Sequence, residues 1–220
     1  MSTPYLRRLR SVLRPDSHGT KSCDVWSGCE AQSGRMQLVV TSSGAHILDD
    51  SYKGPWESFK ASLESLATLP ADRKIAILSD LAQIRGNVGD TYRCLGARLV
   101  NTTDFVVLLG SKDLKRPVAG AVAAGMSRSQ LVYVGTDIHK AIDIMKSELR
   151  PGVLVLIKGG PRKRLARIKL ALLGRDVRCN ARTCNTKVSS CDSCPLPRRL
   201  FSTIRLFGVS CSRSLTSIET

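Results

Sequence analysis

The sequence predicts a Rossmann-like, doubly wound α/β fold: a mostly parallel sheet opened by a β-hairpin, with a small Cys-rich C-terminal appendage. Three observations carry this. From about residue 74 to residue 173, compact apolar runs alternate with longer stretches whose apolar residues recur every three to four positions. Two short apolar runs with a Ser-Ser-Gly between them precede that alternation, the signature of strand, turn and strand. Four cysteines then cluster between residues 179 and 194, beyond the last periodic segment. Alternating strands and helices imply right-handed crossovers and helices on both faces of a parallel sheet.

The hairpin is expected at residues 36–41 and 45–48, turning at Ser42, Ser43 and Gly44. It delivers Asp49, Asp50, Ser51, Tyr52 and Lys53, a dense set of carboxylate, hydroxyl and ammonium groups where a strand ends and a helix begins. Groups at the carboxyl end of a strand in an open α/β sheet face the crevice where such folds bind ligands. A plainer reading makes the two acids a solvated strand exit and Ser51 a helix cap.

Trp56, Phe59, Leu63 and Leu66 form one apolar stripe on a helix from near Pro55 to before Pro70, so both aromatics are expected in the core. Residues 74–78 read as a strand buried on both faces, ended by Ser79 and Asp80. A helix over about 89–100 turns Tyr92, Leu95 and Leu99 inward, and residues 105–109 and 131–134 read as strands around a helix at 118–124. A helix over 138–149 buries Ile138, Ala141, Ile142 and Met145, and 153–157 is the last strand.

That strand runs into Lys158-Gly159-Gly160-Pro161-Arg162 and a helix bearing Leu165, Ile168, Leu172 and Leu173. Two glycines let the backbone approach a ligand, and proline at the helix start leaves the other first-turn N–H groups free for an anion. Arg162, Lys163, Arg164, Arg167 and Lys169 read as a solvated face of that helix.

The 220 residues suffice for one core of ordinary size, expected at residues 34–174. Residues 1–33 lack a period and are expected to be poorly ordered, and 198–220 to form a flexible basic tail. A net charge of +16, from 34 basic and 18 acidic residues, keeps an anionic partner such as nucleic acid open. No apolar run reaches the roughly 18 residues of a membrane helix, and the N-terminal residues lack the apolar core of a secretory signal, so no membrane contact and a cytoplasmic location are expected.

Cys179, Cys184, Cys191 and Cys194 are spaced C-x4-C-x6-C-x2-C within residues 175–197. Paired cysteines two to four residues apart can place two sulfurs on one ion, and structural zinc takes four thiolates in a tetrahedron. A zinc knuckle is therefore expected, with disulfides or free thiols as the other states of the same cluster. His18, His46 and His139 are too scattered for a triad or a histidine metal site. The chain contains no Gly-x-x-x-x-Gly-Lys-Ser/Thr phosphate loop.

The order Gly34-Arg35, hairpin, Asp49-Asp50-Ser51-Tyr52, then Pro55 resembles the opening of the C-terminal domain of Mur ligases, most closely the branch that adds D-alanyl-D-alanine to a UDP-muramoyl tripeptide. Lys158-Gly159-Gly160-Pro161-Arg162 resembles the family's Lys-Gly-Ser-Arg turn. Two positions depart from the pattern: Lys53 stands where asparagine follows the tyrosine, and Gln83 replaces the acid of a methionine–acidic–leucine–glycine loop. The resemblance implies a domain that closes on substrate and nucleotide in an ATP- and Mg-dependent, ADP-forming amide ligase of peptidoglycan precursor synthesis. It implies nucleotide contacts from Arg35 and Asp50, and substrate contacts from Ser51, Tyr52, Lys53, Lys158 and Arg162. It also implies N-terminal and central ligase domains as partners in cis or trans, a UDP-muramoyl peptide and an amino acid or dipeptide as substrates, and no catalysis by this chain alone. The other function class is a stand-alone basic module that grips an anionic partner with the help of the zinc knuckle.

Overall fold

A computed structural model describes residues 32–182, 184 and 191–194. The expectation of poor order for residues 1–33 lies, apart from Gln32 and Ser33, outside the described residues, as does that of a flexible tail at 198–220. The hairpin forms as β1 (Gln37–Val40) and β2 (His46–Asp50), paired antiparallel with Leu38 opposite Leu48. There follow α1 (Trp56–Thr68), β3 (Arg73–Leu78), α2 (Val88–Leu99), β4 (Phe105–Leu108), α3 (Lys115–Ala123), β5 (Leu131–Tyr133), α4 (Ile138–Glu148), β6 (Val153–Lys158) and α5 (Ala166–Leu172). The strands stand in the order β1-β2-β6-β3-β4-β5, parallel from β2 onward.

Alternate residues of a strand face opposite sides of a sheet, and here each side is apolar. Ile47, Ile75, Ile77, Val155 and Ile157 join the inward residues of α4 and α5 in one core. Leu48, Ala76, Leu78, Leu154 and Leu156 join those of α1, α2 and α3 in the other. Phe59 is fully buried as expected, whereas Trp56 packs at the edge of the second core.

The helix boundaries have local causes. Pro55, at φ −65°, sets the entry of α1, and Leu69 leaves the helix at ψ 136°, the extended conformation imposed on a residue before proline. Asn87 and Asp137 cap α2 and α4 by accepting from the amides of Asp90 (3.2 Å) and Lys140 (3.0 Å). α3 begins at Lys115, earlier than the pattern of large side chains indicates, because Pro117 is tolerated in a first turn whose N–H groups need no helical acceptor.

Two sequence expectations are corrected. Pro161 does not open α5; residues 160–163 form a turn, with Lys163 N donating to Gly160 O (3.1 Å), and the helix begins at Ala166. The basic run is solvated only in part: Arg162 is exposed and Lys163 and Arg164 are half-buried, all three before α5, but the two members on the helix are not solvated. Arg167 and Lys169 are 4% and 3% exposed, because the cysteine-containing segment lies over them.

α2 and α3 cross at Gly96. A methyl group there would overlap the carbonyl oxygen of Pro117 and crowd the amide of Ala121. Gly96→Ala gains helix propensity yet is expected to destabilise the domain by about 1–3 kcal/mol, the cost of overpacking, measurable by urea unfolding.

Candidate functional site

Because β6 is the last strand among the described residues but sits between β2 and β3, the exits of these three strands lie side by side. Their loops touch through the backbone. Ser79 N donates to Lys158 O (2.9 Å) and Ala82 N donates to Gly54 O (2.7 Å). A Cβ on Gly54 would stand 3.0 Å from Gly160 N, so the absence of a side chain permits this approach. Met36, Gln83 and Arg164 are the non-glycine residues with positive φ among the described residues, at 51°, 54° and 51°. Gln83 and Arg164 lie in the loops after β3 and β6, and Met36 contacts Asp50, so local strain is concentrated around these exits.

The two carboxylates belong to β2 itself and point to opposite faces. Asp49 turns toward α5, where its Oδ2 lies 3.0 Å from Lys169 Nζ and its Oδ1 accepts from Ser51 N (3.2 Å). The lysine contact lacks hydrogen-bond alignment and acts by charge. Asp50 turns toward α1, where its Oδ2 accepts from Ser62 Oγ and Lys158 Nζ, both at 2.6 Å, and its Oδ1 from Met36 N (3.3 Å).

Lys158 is fully buried and commits all three ammonium hydrogens: to Asp50, to Lys53 O (2.8 Å) and to Ser58 Oγ (2.5 Å). Burial holds its pKa below the ordinary 10.5, with the Asp50 charge opposing that shift. Asp50, Ser51 and Lys158 thus form an internal framework. What faces outward is different. The Arg35 guanidinium lies 4.3 Å from the centre of the Tyr52 ring, Tyr52 is 37% exposed, and Lys53 and Arg162 are exposed. Arg162 also fixes the appendage, its carbonyl accepting from Cys184 N (2.9 Å).

One residue not singled out from sequence holds the neighbouring exits. Asp80 accepts from Ser111 N (2.9 Å) and Ser111 Oγ (2.6 Å) and pairs with Lys163 Nζ (2.8 Å), joining the loops after β3, β4 and β6. Burial pushes its pKa up, but the Lys163 and Ser111 contacts prevail and hold it below the ordinary 3.8. Its position directly after an apolar strand was the available signal.

The four cysteines are all described, and no three His, Cys, Asp or Glu side chains among the described residues are placed to hold a metal ion. The expected zinc knuckle thus finds no support in their placement. Cys191 enters the core beneath α5, where burial pushes its thiol up to about 11. Arg167 donates to Cys179 O (2.9 Å), Cys179 Sγ (3.3 Å) and Ala181 O (2.8 Å), so a guanidinium organises the segment. The charges of Arg167 and Arg164 oppose that rise at Cys191, while those of Cys184 and Cys194 add to it.

Residues 34–160 match the sequence model of the family described as Mur ligase, glutamate ligase domain, and the chain belongs to that family. The UDP-N-acetylmuramoyl-tripeptide–D-alanyl-D-alanine ligase of Mycobacterium leprae is 26% identical over 155 residues, covering 64% of this chain and 30% of that protein. The ligase of the same name from Synechocystis is 28% identical over 130 residues, covering 59% of this chain and 28% of that protein. Among solved structures, MurF ligase from Thermotoga maritima in complex with ADP superposes with a TM-score of 0.55 at 21% identity, over 67% of this chain and 32% of that one. MurF from Acinetobacter baumannii gives 0.56 at 16% identity over the same shares. The matched region thus spans about a third of these relatives' length, and the agreement with the solved structures is one of fold.

Removing one member of the buried pair strands the other charge. Lys158→Met is expected to cost about 3–5 kcal/mol in urea unfolding, and Asp50→Asn combined with Lys158→Met to recover a large part of that loss. Asp80 predicts a pH dependence. Its folded pKa is depressed, so its stabilisation is fully present above pH 3.8 and is lost as pH falls through the lower folded value. The stability difference between the wild type and Asp80→Asn should therefore be largest near neutral pH and shrink below pH 3.8.

Proposed function

We propose that this chain carries the C-terminal substrate- and nucleotide-closing domain of an ATP-dependent, ADP-forming amide ligase of peptidoglycan precursor synthesis. The observation that carries the reading is the half-buried Arg35 stacked on exposed Tyr52, followed by exposed Lys53, built on the buried Asp50–Lys158 framework within the family-matched residues. A guanidinium and an ammonium at strand exits suit phosphate or carboxylate groups of a bound substrate. Asp50, Ser51 and Lys158 contribute by shaping the loop that bears Tyr52 and Lys53; Arg162 adds a further exposed cation after β6.

The residues present do not fit a complete ATP and Mg site. The sequence has no phosphate loop, and no acidic cluster among the described residues gathers to hold a metal. Those groups would be held mainly by the N-terminal and central ligase domains, in cis or in trans. The substrates in this reading are a UDP-muramoyl peptide and an amino acid or dipeptide, as the names of the relatives suggest. No helix among the described residues is long and apolar enough to cross a membrane.

A second reading, a basic module gripping nucleic acid, draws on the +16 charge and on exposed Lys53, Arg85, Lys112, Lys115 and Arg162, none of which pairs with a carboxylate among the described residues. It requires steeply salt-dependent oligonucleotide binding.

The experiment that tests the ligase reading is a fusion of residues 34–220 behind the N-terminal and central domains of a D-alanyl-D-alanine-adding relative. ADP release should depend on both substrates and fall by about two orders of magnitude with Arg35→Ala, the scale of losing one preorganised charged contact. The 220-residue chain alone should stay at background. A folded but inactive fusion, or full activity with Arg35→Ala, overturns the reading.

A further inference from the structure

Every residue of α5 is buried, including two with permanently hydrophilic tips, Arg167 and Lys169. A short helix buried on all sides needs a cover beyond the sheet, and here the cover is the segment after residue 174. Val177 and Cys191 complete the core around it, while Arg167 holds the segment by its carbonyls. This cover lies outside the family-matched residues 34–160.

The ammonium of Lys169 is where this cover meets the exit of β2. It lies 3.0 Å from Asp49 Oδ2 and 3.4 Å from Asp192 Oδ1, and it donates to Ser33 Oγ (3.1 Å) and Gln37 Oε1 (3.3 Å). Ser33 Oγ in turn donates to Asp192 Oδ2 (3.0 Å). On the far side of the same carboxylate, Asp49 Oδ1 accepts the amide of Ser51 (3.2 Å), and the next amide, Tyr52 N, donates to Gly34 O (2.9 Å). A continuous line of polar contacts therefore runs from the cysteine-containing segment, through one buried lysine, to the backbone that presents Tyr52.

We propose that Lys169 is a positioning residue through which the cysteine-containing segment sets the exit of β2, with Asp192 as the segment's own contact. Lys169 is out of reach of any ligand at the rim. It acts by holding the Asp49 carboxylate in the orientation that receives Ser51 N. Asp49 is fully buried, and among the described residues its charge is held in place by the Lys169 ammonium beside it. Anchoring that ammonium also to Asp192 and Ser33 limits its movement. The segment is thus a working part of the site, not an addition to the domain's surface. The proposal rests on the ligase reading only for what the exit does; the coupling itself can be measured without substrate.

Hydrogen exchange on the full chain tests it, with the amides of Ser51 and Tyr52 compared against those of Val107 and Leu108 in β4. Asp192→Asn, at a position outside the core, is expected to speed exchange of Ser51 and Tyr52 roughly two- to fivefold, the range of a half-exposed ion pair, and to leave β4 unchanged. Lys169→Met, where it folds, should speed the same amides by about tenfold or more, and Asp192→Glu should keep them slow. Equal acceleration at β2 and β4 would mean that the segment only adds global stability, and no acceleration with Asp192→Asn would mean that it is uncoupled; either result overturns the proposal. Because no ligand is used, either failure leaves the ligase reading standing.

Discussion

The pairing of Asp50 with Lys158 is the constraint on which the carboxyl end of this sheet depends. Two charges taken out of water lose hydration that their attraction scarcely recovers, so such a pair is a weak source of stability and a strong source of specificity. Here the specificity is register. Asp50 and Lys158 stand opposite each other on adjacent parallel strands, and a slip by one residue would leave the ammonium facing a different side chain and turn every apolar residue of β2 to the wrong core. The same ammonium holds Lys53 O and Ser58 Oγ, and the same carboxylate holds Met36 N and Ser62 Oγ. Chain entry, loop and first helix are thus referred to one point.

The alternation of side chains along β2 then divides labour between two acids that look equivalent in sequence. Asp49 belongs to the core with α5 and answers to the C-terminal segment; Asp50 belongs to the core with α1 and answers to β6. Neither faces outward. The groups that do, Tyr52 and Lys53, with half-buried Arg35 against the Tyr52 ring, are carried by backbone that both acids hold in place.

The architecture was legible because it depends on period. Phe59, Leu63 and Leu66, or Ile138, Ala141, Ile142 and Met145, announce the buried face of a helix by spacing alone, and all of them are buried. Partnership was not legible. Asp50 and Lys158 could be picked out as residues at strand exits, but they lie 108 positions apart, and nothing local shows that each exists to satisfy the other. Lys169 and Arg167 were misread for a related reason: the cover over them has no periodic pattern. A fuller reading of Ile168, Leu170, Ala171 and Leu172, apolar around nearly the whole helix, would have signalled burial on every side. Cysteine spacing pointed to a compact segment but not to a guanidinium as its organiser.

The placement of β6 also governs how the chain can acquire its shape. The strand that joins β2 to β3 is the last of the described strands to be made, so until residue 158 has been synthesised β2 and β3 lack their shared neighbour. A nascent or truncated chain holds a hairpin on one side, a three-stranded fragment on the other, and two open apolar edges between them. Long-range parallel pairing of this kind closes large loops and is slow, and unpaired edges invite association with other chains. This domain is accordingly most vulnerable to aggregation during the interval before its final strand arrives, when both halves are formed and neither is sealed.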